Sequence, residues 1–497
     1  MDFAISLDPQ QPLPLHRQLY AELRQAILTG RLTPGQRLPS TRSFAQLLGI
    51  SRATVTLSYE QLLSEGYLQA VVGSGTFVCQ QLTDELLRPA PIATPLQAVQ
   101  AGEPHLTLSD YAISLSRIAL FEPPLLDAQI SFRGQPDLDA LPLQQWRQLL
   151  SRHCQAHEQA MLDYCPDLLG YRPLREAIAR YLARSRAVQC DPDQVLIVNG
   201  SQQALDLLTR ILINRGDRVA LEDPGYPGAR RVFLAQGADL CPIPVDETGL
   251  QVEQLSQLGG GVKLVYVTPS HQFPTGVVLS LPRRLELLDW AQHTGAMVIE
   301  DDYDSEYRYG SRPIPALQGL DQGNSVLYIG TFSKVLFPAL RIGYLVVPRC
   351  LVKLLARARW LADRQTPLLE QYALTDFINE GHLERHIHRM RRLYDQRRQV
   401  LVQALQSHLP GQATILGENA GMHVVVRLQT SLSDLEVVAR AAQVGVGLVS
   451  TRNYYLQPRC ATETEFLLGY AALQASDLQE GVHRLAQVLQ AAASRES

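Results

Sequence analysis

The C-terminal three quarters of this chain alternate between short apolar runs, typical of buried strands, and helical segments. This alternation predicts an α/β fold with a mainly parallel sheet and helices on both of its faces. The predicted strands lie at residues 195–198, 218–221, 264–267, 297–299 and 325–329. Ligands of open sheets bind beyond the carboxyl ends of the strands, so the loops after these strands are the candidate site.

The loop after the last of these strands carries Lys334 behind a hydroxyl-rich turn, with Arg341 seven positions further on. A lysine amine can form a Schiff base with an aldehyde, and a guanidinium can hold a phosphate through two parallel hydrogen bonds. Thr331 and Ser333 can add hydroxyl donors to the same phosphate. This combination favours a site for pyridoxal 5'-phosphate (PLP). The alternative is an ordinary loop after a buried strand.

Three other loops carry groups that suit the same cofactor. Ser201 and Gln202 begin a helix after a strand, and a helix N-terminus can hold a phosphate, although a plain capped helix also explains them. Tyr226 can stack on a flat ring or simply pack. Three consecutive acids at 300–302 precede Tyr303. One carboxylate could keep a pyridine nitrogen protonated, with Tyr303 on the ring hydroxyl; the alternative is a solvated acidic loop.

The N-terminal part predicts three helices, near residues 15–28, 41–48 and 52–64, followed by two short strands around a Gly-Ser-Gly turn. This order is that of a winged helix-turn-helix, whose second helix of the turn enters the major groove by its N-terminus. The alternative is a three-helix protein-interaction module with solvated arginines. The candidate DNA contacts at the helix starts and the wing are Arg42, Ser51, Arg52, Thr54, Ser74 and Gly75.

Length and composition separate these parts and exclude several classes of protein. The chain has 497 residues, too many for one ordinary domain, and its formal net charge of -4 excludes a globally basic nucleic-acid binder. A Pro- and Ala-rich stretch predicts a linker at 81–125, between domains at 1–80 and 126–497. Seven scattered cysteines without a CxxC pair favour a reduced, cytoplasmic protein with no metal site. Neither a signal peptide nor a transmembrane run is expected.

Both parts resemble known families. LPSTR at 38–42, GISRATV at 49–55, EGY at 65–67 and GSGTFV at 73–78 resemble the GntR-type winged helix, which implies DNA binding. The ordered loops of the larger part, with YRPLREAI at 171–178, resemble fold-type I aminotransferases. That resemblance implies Lys334 as the Schiff-base lysine, Asp301 on the pyridine nitrogen, Tyr303 on the ring hydroxyl and Tyr226 on the ring face. It also implies phosphate contacts from Ser201, Gln202, Thr331, Ser333 and Arg341, and from Tyr164 across a dimer.

The chain departs from the aminotransferase pattern in two places. Phe273 stands where an asparagine usually contacts the ring hydroxyl, so His271 and Gln272 are the candidates to replace it. The segment 466–471 lacks the arginine that usually binds the substrate carboxylate. Arg452 is the candidate to replace that arginine and bind the carboxylate of an effector. The alternative is that Arg452 is an ordinary arginine of a surface loop.

A GntR-like winged helix joined to an aminotransferase-like domain resembles the MocR family of transcriptional regulators. The resemblance implies a homodimer, domain-swapped head to tail, that binds promoter DNA. PLP, or an amino compound that reacts with it, would then modulate promoter binding. The alternative is a working PLP-dependent aminotransferase with an accessory DNA-binding domain.

Overall fold

A computed structural model describes residues 7–8, 13–71, 73–80, 107–119, 128–155, 163–310, 314–457 and 464–496. The chain forms two compact units, Met1–Leu106 and Thr107–Ser497, which we describe separately. No helix within the described ranges is long and apolar enough to cross a membrane.

The N-terminal unit is a winged helix-turn-helix, as the sequence predicts. Ser40 and Ser51 cap the second and third helices, because each hydroxyl accepts a hydrogen bond of 3.1 Å from a backbone N–H three residues on. Gly49, with φ of 67°, ends the second helix in the left-handed region. The wing strands pair antiparallel, Leu68 opposite Val78. The elements are α1 Leu15–Leu28, α2 Thr41–Leu48, α3 Arg52–Ser64, β1 Leu68–Val71 and β2 Gly75–Val78.

The second unit contains the remaining elements. They are α4 Asp110–Ser116, β3 Ile130–Ser131, α5 Leu143–Cys154, α6 Arg172–Arg186, β4 Val195–Val198, α7 Ser201–Leu212, β5 Arg218–Asp223, α8 Pro227–Gln236, β6 Asp239–Asp246, β7 Gly249–Leu250, α9 Glu253–Gln257, β8 Val262–Val267, α10 Leu281–Thr294, β9 Met297–Asp302, α11 Leu317–Leu320, β10 Val326–Thr331, β11 Gly343–Val346, α12 Arg349–Asp363, α13 Leu368–Asn379, α14 His382–His408, β12 Ala413–Leu416, β13 His423–Leu428, α15 Asp434–Gln443, β14 Val446–Gly447, β15 Val449–Ser450, β16 Thr464–Gly469 and α16 Ala475–Glu496.

The central sheet has the strand order β4-β11-β10-β9-β8-β5-β6-β7. Strands β10, β9, β8, β5 and β6 run parallel, whereas β11 is antiparallel to both of its neighbours. Alternate residues of β4 belong to different apolar clusters: Val195 and Ile197 pack with α6 and α13, and Leu196 and Val198 pack with α7. Both faces of the sheet are therefore covered, which confirms the expected α/β architecture.

A smaller α+β region follows, built on the antiparallel sheet β12-β13-β16-β15. Its apolar cluster includes residues of α14, α15 and α16. The short strand β3 joins this region by pairing in parallel with β14, with Ile130 opposite Val446. This pairing carries the start of the second unit into the same region as the C-terminal strands.

The predicted linker at 81–125 contains a helix that the composition does not reveal. Ser109 caps α4 through a hydrogen bond of 3.2 Å from Ala112 N, and Asp110 pairs with Arg215 at 2.6 Å. Residues 107–119 therefore belong to the second unit. Residues 81–106 and 120–125 of the predicted linker lie outside the described residues.

Candidate functional site

A cavity of about 500 Å³ opens at the carboxyl ends of β4, β5, β8, β9 and β10. The loops after these strands converge there because parallel strands present the same end to one edge of a sheet. The sequence-predicted residues that line it are Ser201, Gln202, Tyr226, Asp301, Tyr303, Thr331, Ser333, Lys334 and Arg341.

Lys334 follows β10 and extends its amine into the cavity wall. Its Nζ donates a hydrogen bond of 3.0 Å to the carbonyl oxygen of Gly134, in the loop after β3. Burial lowers the pKa of the Lys334 ammonium, and the carboxylate of Asp304 opposes this shift. A lowered pKa increases the fraction of neutral amine, the form that attacks a carbonyl carbon.

Asp301 ends β9 with a buried carboxyl group that is only partly satisfied. Tyr266 Oη donates a hydrogen bond of 2.9 Å to Asp301 Oδ2. Within the described residues, Asp301 Oδ1 is buried and has no hydrogen-bond partner. Burial raises the pKa of Asp301 to about 7, and the Tyr266 hydrogen bond opposes this. The free oxygen is therefore suited to a ligand group that carries a proton.

The two flanking acids point to the opposite face of the sheet, because side chains alternate along a strand. Glu300 accepts hydrogen bonds of 2.8 Å from the backbone N–H groups of Leu317 and Gln318. Asp302 pairs with Arg186 at 2.7 Å. The alternative of a solvated acidic loop is therefore wrong: all three carboxyl groups are buried in a strand.

The phosphate-binding candidates form one cradle between the start of α7 and the loop around Arg341. Arg341 Nη2 donates a hydrogen bond of 2.6 Å to the carbonyl oxygen of Asn199, and Thr331 Oγ1 lies 3.1 Å from Ser333 Oγ. Gly200 and Gly343 pack backbone to backbone, since a Cβ on Gly343 would lie 2.9 Å from Gly200 Cα. Hydroxyl, guanidinium and helix N-terminal N–H groups together match what a phosphate monoester needs.

Aromatic rings make a second wall of the cavity. Tyr226 meets Phe273 edge to face at 5.8 Å between centroids, and Phe273 meets Tyr303 at 6.1 Å and Tyr454 at 5.0 Å. Phe273, at the position of the usual asparagine, lines the cavity. It offers no hydrogen bond there, so a ring hydroxyl at this wall would depend on Tyr303.

His271 does not line the cavity, contrary to the expectation that it contacts the cofactor. It is buried behind Tyr303, with its Nδ1 2.9 Å from Tyr303 Oη and 2.9 Å from Asp304 Oδ1. The physical reason is the bend of the chain at His271, after which Phe273 lines the cavity in its place. The geometry makes His271 a positioning residue for Tyr303.

Two further sequence-predicted residues are outside the cavity of this chain. Tyr164 is 62% exposed, and the guanidinium of Arg364 stacks 4.2 Å from the centre of its ring. Its predicted role concerns the site of a second subunit and stays a prediction. Arg452 is exposed on the 3-10 turn Thr451–Tyr454, and Tyr454 of the same turn lines the cavity instead.

Sequence reasoning missed several residues that line the cavity, among them Arg133, Gly134, Tyr266, Asp304 and His423. A local signal existed only for Tyr266 and Asp304, which lie within or just after predicted strands. Arg133 and Gly134 follow a strand of two residues, too short to detect. Burial lowers the pKa of His423 to about 3, with a further contribution from His271, so its ring is neutral.

In the N-terminal unit, the candidate DNA contacts lie on two exposed features. Arg42 and Arg52 are exposed at the starts of α2 and α3, and Arg52 Nε donates a hydrogen bond of 3.3 Å to Thr41 Oγ1. Ser51 Oγ accepts from Thr54 N at 3.1 Å and so is partly used as the helix cap.

At the wing, Ser74 and Gly75 are exposed, and Gly75 has φ of 118°, a conformation that favours glycine. A Cβ on Gly75 would lie 3.1 Å from Arg37 Nε. Arg37 therefore belongs to the wing surface.

Comparison with known proteins matches both units. The family described as "Bacterial regulatory proteins, gntR family" matches residues 15–78, and "Aminotransferase class I and II" matches residues 133–485. The chain is 40% identical over 483 residues to the probable rhizopine catabolism regulatory protein MocR of Rhizobium meliloti, covering 96% of this chain and 94% of that one. The pyridoxine biosynthesis transcriptional regulator PdxR of Corynebacterium glutamicum is 33% identical over 454 residues, covering 91% and 92%.

Among solved structures, the second unit is similar to LysN, the α-aminoadipate aminotransferase of Thermus thermophilus. The sequence identity is 30% and the TM-score 0.68, and the match covers 75% of this chain and 94% of LysN.

Proposed function

The chain belongs to the MocR family of transcriptional regulators, and from this premise we propose that it is a PLP-dependent regulator of promoter binding. The observation that carries the proposal is the cavity. It is lined by every residue that the sequence nominated for the cofactor except His271, Gln272 and Tyr164.

The residues at the cavity fit PLP in charge and in hydrogen-bonding capacity. The buried, unpartnered Oδ1 of Asp301 suits a protonated ring nitrogen, and Tyr303 can hold the ring hydroxyl. Arg341 and the N-terminus of α7 would hold the phosphate. When bound, PLP supplies an aldehyde that condenses reversibly with primary amines, and Lys334 provides the amine of the chain.

Each of these residues also has a role in keeping the site selective. Tyr226 and Phe273 exclude water from one wall, and Lys334, with its lowered pKa, can hand a proton to a neighbouring group or accept one. Burial raises the pKa of the Asp301 carboxyl to about 7, and a cation at Oδ1 would favour its ionised form. The site is thus poised to respond to amine-bearing ligands.

Coupling to DNA requires two DNA-reading units at a fixed separation, because half-sites lie about one helical turn or a multiple of it apart. We infer a homodimer, domain-swapped head to tail, in which ligand chemistry at the cavity changes that separation. A coupling free energy of about 1–3 kcal/mol would suffice to alter promoter occupancy.

The test uses the full chain in cofactor-loaded and cofactor-free forms. The operator is first selected from a random duplex pool with the purified protein, and its affinity is then measured by fluorescence anisotropy at one stated salt concentration. We expect visible absorbance in the loaded form only, and operator affinities that differ at least fivefold between forms or on adding an amine. Absence of absorbance after incubation with PLP would contradict the proposal.

A working aminotransferase is the second candidate, because the same cavity groups serve turnover. Against it, the position of the usual carboxylate-binding arginine is Leu467, which lines the cavity as an apolar side chain. The discriminating assay supplies amino donors and 2-oxo acids and counts products per chain. More than one product per chain would favour the enzyme, whereas a single half-reaction favours the regulator.

A further inference from the structure

The cavity contains a cation that the cofactor does not use. Three basic side chains of the described residues line it: Lys334, Arg341 and Arg133. Lys334 is the reactive amine and Arg341 belongs to the phosphate cradle, so both have roles in the proposed function. Arg133 has none.

Arg133 is half-buried and almost unpartnered. Its Nε donates a hydrogen bond of 3.1 Å to Ser131 Oγ. This is the single hydrogen bond that the guanidinium makes to the described part of the chain. No carboxylate of the described residues lies within 4.0 Å of it. A guanidinium has five N–H donors, so most of its capacity is available to a ligand.

Arg133 also stands beside the reactive amine. It directly precedes Gly134, whose carbonyl oxygen accepts the 3.0 Å hydrogen bond from Lys334 Nζ. The backbone of both residues is fixed there, because a Cβ on Gly469 would lie 2.1 Å from the Arg133 carbonyl carbon and 2.4 Å from Gly134 N. The Arg133 backbone therefore packs directly against β16.

The opposite position on β16 explains why a cation is needed here. Leu467, where an aminotransferase carries its carboxylate-binding arginine, is apolar and would lie 3.7 Å from a Cβ on Gly134. An acid group that entered this end of the cavity would therefore find one unused guanidinium and an apolar strand. Asp304, the nearby carboxylate of the lining, is held by His271.

We propose that Arg133 binds the acid group of the effector, which is accordingly an amine that also carries a carboxylate or sulfonate. This assignment rests on the proposed function, because the amine end of the effector must reach Lys334 and its cofactor. Arg133 sets the distance between the two ends of the effector, and it replaces Arg452 as the acid-binding residue.

The experiment compares amines that differ only in the acid group. The probes are β-alanine, γ-aminobutyrate, L-glutamate and 2-aminoethanesulfonate, each against propylamine, and glutarate as an acid without an amine. Binding to the cofactor-loaded full chain is followed by cofactor absorbance and, independently, by the thermal unfolding midpoint. The variants are Arg133→Gln, Arg133→Lys and Arg452→Gln, with wild type alongside.

For wild type we expect at least one acid-bearing amine to bind about tenfold or more tightly than propylamine, the size of a charge-assisted hydrogen bond. Arg133→Gln should remove this preference and the stabilisation by glutarate, leaving propylamine binding unchanged. Arg133→Lys should restore part of it, because the charge remains but the planar fork is lost. Loss of the preference in Arg452→Gln alone, or no preference in wild type, overturns the assignment.

Failure of this inference is distinguishable from failure of the proposed function. Arg133→Gln must retain cofactor absorbance and operator affinity within about twofold of wild type, because Arg133 contacts neither the cradle nor the N-terminal unit in the proposal. If wild type itself shows no absorbance, the cofactor proposal has failed. If absorbance and operator binding are normal and Arg133→Gln does not change the preference for acid-bearing amines, only the assignment of Arg133 as the acid-binding residue is wrong.

Discussion

Lys334 Nζ lies 3.0 Å from the carbonyl oxygen of Gly134, a residue 200 positions earlier in the chain. The contact depends on the pairing of β3 with β14, which carries the first strand of the second unit into the C-terminal region. It gives the amine a partner that attracts its N–H groups but cannot take up its proton. Displacing Lys334 from its cofactor would therefore let the amine return to a preformed site.

Lys334→Ala should abolish the visible absorbance of the PLP-loaded protein and leave no adduct after borohydride reduction. The reason is that Lys334 is the lysine that lines the cavity. Lys353→Ala is the matched control, because Lys353 is exposed on α12. Absorbance spectra and peptide mass spectrometry check both variants, and a reduced adduct in Lys334→Ala would refute the assignment.

The Asp301 carboxyl should make the cofactor-free protein less stable as the pH rises. Burial raises its pKa to about 7, from about 4 in an unfolded chain. Between these values the folded chain keeps a proton that the unfolded chain has lost, so this stabilising contribution is complete below pH 4 and is lost as the pH passes 7.

Asp301→Asn removes this titration. The thermal unfolding midpoint of wild type, relative to that of the variant, should therefore decrease as the pH rises from 5 to 8. The expected decrease corresponds to about 1 kcal/mol or more in the free energy of unfolding. Glu300, whose pKa is also raised by burial to about 7, titrates in both proteins, so its contribution cancels in the difference. A midpoint difference that is flat across this pH range would mean that Asp301 is ionised in the folded chain.

Arg52→Ala should weaken binding to the selected operator about tenfold or more while the cofactor absorbance stays intact. Arg52 is exposed at the N-terminus of α3, and loss of a bidentate base contact costs about 1–3 kcal/mol. We expect the same direction for Arg42→Ala. Arg31→Ala removes an equal charge from an exposed site beyond α1 and is the control. Equal losses of operator affinity in all three variants would indicate that these arginines act only through their charge and not through base contacts.

His271 should act on the cofactor through Tyr303 rather than by direct contact. Its Nδ1 lies 2.9 Å from Tyr303 Oη, and His271 itself does not line the cavity. We expect Tyr303→Phe and His271→Asn each to weaken PLP binding, by about 1 kcal/mol, and the double variant to lose little more. Equilibrium titration with PLP measures all four proteins. Strictly additive losses would show that the two residues act independently.

The sequence was sufficient wherever a functional residue follows a strong local pattern. Lys334, Asp301 and Tyr226 each follow an apolar strand, so their convergence required only the rule that parallel strands end at one edge. The burial of Glu300 and Asp302 could not be predicted in this way. Their partners, among them Arg186, come from distant helices and loops.

Arg133 shows the other limit of local reasoning. It follows a strand of two residues, and its place beside Lys334 depends on a pairing with Val446 more than 300 positions away. The absence of an arginine from 466–471 favours Arg452 as a replacement, yet the turn at Thr451–Tyr454 presents Tyr454 to the cavity. Which side chain of a short turn faces a cavity depends on the path of the backbone, which composition does not encode.

The contact between Gly200 and Gly343 joins the two sides of the phosphate cradle through main-chain atoms alone. The distance between the start of α7 and the loop of Arg341 is thus set by direct backbone contact. The spacing between the two sides of the cradle is therefore set independently of the side chains in the apolar clusters on either face of the sheet. A side chain at position 343 would force the two sides apart, because its Cβ would lie 2.9 Å from Gly200 Cα.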